Sequence, residues 1–157
     1  MALPERWKMG PEWDGYNSVD EETQKALALW AADCAEHVLH HFEKERPDDP
    51  RPRKAIEAAR AWTRGEVTVG EAVDISRETH AAAREATDTA TREAARAAGH
   101  AIATAHVDAH SRGAAIYAIK AVIDANPTDT DAEDTEVEWQ SEQLSEQLQF
   151  VVIANED

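Results

Sequence analysis

The stretch Leu27-Ala28-Leu29-Trp30-Ala31-Ala32-Asp33-Cys34-Ala35-Glu36-His37-Val38-Leu39 decides the fold class. Leu27, Trp30, Ala31, Cys34 and Val38, followed by His41 or Phe42, recur at intervals of three and four, which places them on one face of an amphipathic helix. The spacing predicts a first helix over residues 20–44. It stops at Arg46-Pro47-Asp48-Asp49-Pro50-Arg51-Pro52, where closely spaced prolines remove backbone donors and disfavour helical geometry in the residues before them.

The same logic extends in both directions. Pro52 suits a helix start, where its missing N–H is one of the unpaired donors anyway, and Ile56, Ala59 and Trp62 supply a buried stripe that ends at Gly65. Thr68-x-x-Glu71 has the form of a capping box, opening a third helix that is expected to run through an alanine-rich stretch to about Ala98. Gly99 then breaks or bends the path into a fourth helix through Ile102, His106, His110, Gly113 and Tyr117, stopped by Asn126-Pro127. A second box, Thr130-x-x-Glu133, opens a fifth helix with the stripe Val137, Leu144, Leu148 and Val151. Upstream, residues 1–19 lack either periodicity and carry Trp7, Trp13 and Tyr16. The expectation is an all-α, single-domain bundle of about five helices: an extended arm over 1–19, a helical core over 20–125, and an acidic helix over 126–157 docked on it.

Charge narrows the function classes. Thirty-two acidic residues against 16 basic ones give a net charge of −16. Such self-repulsion is screened where the Debye length falls to about 3 Å, near 1 M salt, and with few lysines the composition suggests a salt-adapted protein. It argues against nucleic acid as a partner, because that affinity comes from cations neutralising phosphates. No run of 18 uncharged apolar residues occurs and the N-terminus has no basic start followed by an apolar run, so neither a membrane span nor a secretion signal is expected, and a cytoplasmic location follows. The lone Cys34 allows no internal disulfide and is expected in the core, as are Trp30 and Trp62.

Two readings of the polar residues stay open. His106 and His110, and Asp33 and His37, are each spaced i,i+4, so two such pairs converging across a helix interface would supply four ligands for a divalent metal, or a polar pocket for a small ligand. Alternatively the histidines lie inside the bundle in a hydrogen-bonded network with Arg53, His80, Arg84 and His100, fixing helix register where small side chains specify it poorly. No phosphate loop, nucleophile elbow or paired-cysteine motif is present, so no catalytic residue is assigned and no cofactor beyond such a metal is expected.

The run 27–39 quoted above, the run Pro47-Asp48-Asp49-Pro50-Arg51-Pro52-Arg53-Lys54-Ala55-Ile56-Glu57-Ala58-Ala59-Arg60-Ala61-Trp62, and the runs Ala98-Gly99-His100-Ala101 and Thr104-Ala105-His106-Val107 together resemble the immunity-protein family of bacterial polymorphic toxin systems, the fifth of the predicted immunity families. The resemblance spans about residues 26–124. It implies an all-α protein, with no established catalysis, that binds and neutralises a cognate toxin, with Trp30, Asp33, Cys34, His37, Arg51, Arg53, Trp62, His80, Gly99, His100, His106 and His110 at matching positions. Small-residue faces and an apolar arm also allow a structural homodimer without separate activity.

Overall fold

The computed structural model describes residues 19–145 and 148, all helix, turn or irregular backbone with no strand among them. The helices are α1 (Glu21–Val38), the single turn α2 (His40–Glu43), α3 (Arg51–Thr63), α4 (Val69–Glu85), α5 (Thr89–Ala103), α6 (His110–Ala125) and α7 (Ala132–Glu142). The expected arm, apart from Val19, and the expected stripe residue Val151 lie outside the described residues.

Local signals account for most boundaries. The side chain of Asp20 accepts from the Thr23 N–H to cap α1, and the continuous helix expected to residue 44 is interrupted only at Leu39, which separates α1 from the turn α2. At the end of α3, Gly65 takes φ of +76°, which suits glycine, and the Gly65 and Glu66 N–H groups close back on the Trp62 and Ala61 carbonyls. The Thr68–Glu71 capping box forms in both directions.

Three expectations are corrected. The single helix expected over about 69–98 is two: Ala86 and Asp88 are extended, Asp88 caps α5 by accepting from the Thr91 N–H, and Arg92 donates to the freed Ala86 carbonyl. Gly99 neither breaks nor bends the chain there; it lies inside α5, and the turn falls later, over 104–109, where the Gln24 amide of α1 donates to the Thr104 and Ala105 carbonyls. The box Thr130-x-x-Glu133 does not form. Asp131 occupies the cap of α7 without a side-chain bond, and its own N–H is held by the Asp129 carboxylate.

Helix α5 is the hub. Its buried residues, including Ala90, Ala94, Ala95, Ala97, Ala98, Gly99, Ala101 and Ile102, go round much of its circumference, and α1, α2, α3, α4 and α6 all pack on it. A helix apolar over most of its surface must be central, and alanines let five neighbours approach closely. Bulk comes from elsewhere: Leu27, Trp30, Val38, Leu39, Phe42, Ile56 and Ile119 fill the spaces between helices. Cys34 is fully buried and Trp62 is packed partly buried against the core. The acidic helix α7 packs on α6, with Val137 and, further on, Leu144 and Leu148 buried.

Candidate functional site

The polar residues singled out from the sequence fall into two groups. The first is a string of imidazoles: His80 of α4, His100 of α5 and His110 at the start of α6. Two glycines make room for it. A Cβ on Gly99 would sit 2.7 Å from the His80 ring, and one on Gly113 would sit 2.6 Å from His100 Nδ1. Arg96 Nη1 lies 2.8 Å from His80 Nδ1; a guanidinium only donates, so that nitrogen accepts and the His80 proton sits on Nε2. His100 Nδ1 and His110 Nδ1 face each other at 2.9 Å, so one donates and the other accepts. The His100 ring stacks on Tyr117 at 5.2 Å and meets His80 edge-on at 5.3 Å.

Burial first, and then the neighbouring cationic groups, hold His80 down at about 4 and His100 at about 3, and burial also lowers His110. All three are therefore neutral at pH 7. His80 and His100 touch by their ring edges, while the hydrogen bonds run from Arg96 to His80 and between His100 and His110. Arg53 and Arg84, expected in the same network, are not members. Arg53 is exposed on α3, where its Nε and Nη2 fork onto the Glu43 carboxylate, each at 2.7 Å, and Arg84 is exposed and acts on His80 through its charge.

The second group lies where α7 crosses α1. The Trp30 indole donates to the Gln140 carbonyl at 2.9 Å, and the Gln140 amide, itself fully buried, donates to the Ala115 carbonyl at 2.9 Å, fixing α7 against α1 and α6. This registers Trp139 over His37: the rings are parallel within 7° and 3.6 Å apart. Nδ1 of His37 lies 2.8 Å from the carboxylate of Glu136, which is only 3 % exposed. Burial raises the Glu136 pKa, and the bond and charge of His37 pull it back. Beside them Arg60 of α3 bridges Asp33 at 3.0 Å and Glu36 at 3.0 Å, holding the Glu36 carboxyl below its ordinary range. Asp33, Glu36, His37, Trp139 and Gln143 line an open hollow of about 450 Å³.

The expected metal quartet is not brought together. Asp33 is engaged by Arg60, His37 by Glu136 and Trp139, and His110 by His100. His106 is exposed in the turn after α5, so it does not share a helical face with His110. Among the described residues, no three His, Cys, Asp or Glu side chains are arranged to hold a metal ion. Arg96 and Glu136 were not picked out from the sequence, whereas Tyr117 was expected on the same helix as His110. A carboxyl pair was missed as well: burial, then the Asp124 carboxyl of α6, push the Glu93 pKa of α5 upward.

Comparison with known proteins supplies the family. The model of the Imm-5 like putative immunity protein family matches residues 17–147, a span that takes in every described helix and both polar groups. The chain belongs to that family. No curated protein and no solved structure matches it. The family match reaches beyond the stretch that carried the sequence resemblance and includes α7, so Glu136 and Trp139 lie within the family domain. Among the described residues no helix is long and apolar enough to cross a membrane.

Proposed function

We propose that the chain is an immunity-like binding protein that engages a toxin protein and blocks its action by occupying it. The observation that carries this reading is the family match over residues 17–147. The geometry supports it in a specific way. Along α1, on the side that faces α7 and is bridged by Arg60 of α3, an aromatic pair and several carboxylates are held by short bonds, so little side-chain freedom remains to be lost on association. A surface ordered before it meets its partner is what an inhibitor by occlusion needs, and binding alone accounts for the role.

The test is affinity capture from the native lysate with the tagged full chain, at 0.15 M and at molar salt, followed by co-expression of any captured protein with and without this chain. The expected result is one protein recovered in near-stoichiometric amount whose expression arrests growth and whose effect the chain relieves. Failure to recover a partner at either salt, or a recovered partner whose toxicity is unaffected, sinks the reading.

A further inference from the structure

We propose that the hollow between α1 and α7, centred on the His37–Trp139 stack, is the docking surface for an arginine- or lysine-bearing segment of the partner protein. This rests on the binding-protein reading above and adds to it a place and a chemistry.

Charge is the first argument. Asp33 and Glu36, with side chains 45 % and 47 % exposed, share the guanidinium of Arg60, and the other cation that acts on Glu36, Arg53, is itself forked onto Glu43. On α7, Glu133, Asp134, Glu138 and Glu142 are exposed, and no lysine or arginine occurs after Lys120 in the whole chain. No cation from this part of the sequence balances them. A concave surface with an uncompensated field of one sign favours a partner segment of the opposite sign.

The second argument is the indole. Trp139 is partly buried, its ring pinned by the parallel His37, which Glu136 holds in turn. Rigid, half-buried tryptophans are favoured interface anchors, because they present a large area at small entropic cost. An indole rimmed by carboxylates is also specific in what it takes: a guanidinium or ammonium gains from the aromatic ring and from charge-assisted bonds to Asp33 or Glu36 together. The volume of about 450 Å³ lies within the usual range for binding clefts, roughly 300–1,000 Å³, yet the hollow is open, which suits a side chain projecting from another protein.

The same charges disfavour other occupants. A second copy would set −16 against −16, and an acidic peptide or nucleic acid meets the same repulsion.

The experiment places the photo-crosslinker p-benzoylphenylalanine at Gln143, on the rim of the hollow, or at the exposed Val69 at the start of α4, in the full chain expressed in its own cells. The adduct is mapped by mass spectrometry. The expected result is an adduct from position 143 at least tenfold more abundant than from position 69, mapping to a partner segment that carries arginine or lysine. In the Asp33→Asn/Glu36→Gln background, folded by circular dichroism, that adduct falls at least tenfold, whereas Glu21→Gln/Glu22→Gln at the far end of α1 leaves it within twofold. A partner that is captured but crosslinks only from position 69, equally from both, or from neither overturns the surface and leaves the binding reading standing. An adduct from 143 that maps to an acidic or apolar segment, or that persists in the double variant, overturns the chemistry. If no partner is captured, both readings fall.

Discussion

Replacing His100 by Asn tests the imidazole string at its most deeply set member. Asn keeps a hydrogen-bonding group near the Nδ1 position that faces His110, but it does not titrate. In the folded protein His100 is held at about 3 by burial and by the charges of His110, His80 and Arg96, while in the unfolded chain a histidine titrates near 6.5. A folded pKa below the unfolded one means that the unfolded chain binds the proton. Its contribution to stability is therefore complete above about pH 6.5 and is lost as pH falls towards 3. Between pH 7.5 and pH 5.0 the linkage relation gives a loss of about 2 kcal/mol from this one group. Other groups titrate over the same interval, Glu93 with the opposite sign, so the wild-type slope alone does not isolate it. The variant does. Urea unfolding of both proteins at both pH values should show the cost of His100→Asn shrinking by about 2 kcal/mol from pH 7.5 to pH 5.0. An unchanged cost would refute the claim that the folded protein keeps His100 neutral.

Three further outcomes follow from the fold. Gly113→Ala brings a Cβ to 2.6 Å from His100 Nδ1, so the ring must move, and urea unfolding should show a loss of about 1–3 kcal/mol, the usual cost of overpacking. Asp88→Ala removes the cap of α5 and should cost about 1 kcal/mol, with Asp88→Asn costing less; equal losses for both would mean that the carboxylate acts by charge and not by capping the Thr91 N–H. Glu93→Gln concerns a group whose folded pKa is raised, so its stabilising protonated form is present at low pH and is lost as pH rises through the folded value. The stability of the variant relative to wild type, read by thermal unfolding, should therefore rise from pH 4.5 to about pH 8 and level off above it, and a difference independent of pH would refute the raised pKa of Glu93.

How far the sequence could be read depended on the range of the interactions involved. The α1 stripe, the Thr68–Glu71 box, the Gly65 stop and the Asn126-Pro127 stop are local, and each was legible. The break between α4 and α5 has a local signal too, Asp88 three residues before Thr91, but it sits in an alanine-rich run with no glycine or proline to draw attention to it. Gly99 misled for the opposite reason: it serves a tertiary need, the space taken by His80 from another helix, and so reads as a breaker when seen alone. At the site, His37 and Asp33 were picked out because they share a helical face, but their partners Glu136 and Arg60 are 99 and 27 residues away. A glutamate in an acidic helix reads as solvated. This one is buried with partners of its own, His37 across the helix interface and the Gln140 amide one turn on.

The bond from the Trp30 indole to the Gln140 carbonyl has a further consequence. It makes the deepest tryptophan of the core a built-in optical gauge of whether the acidic helix is in place: if α7 lifts away, the indole loses its acceptor and meets water, and its emission moves to longer wavelength. The attachment of the most highly charged part of the chain can therefore be followed in the unmodified protein, with light, while salt, pH or a bound partner is varied.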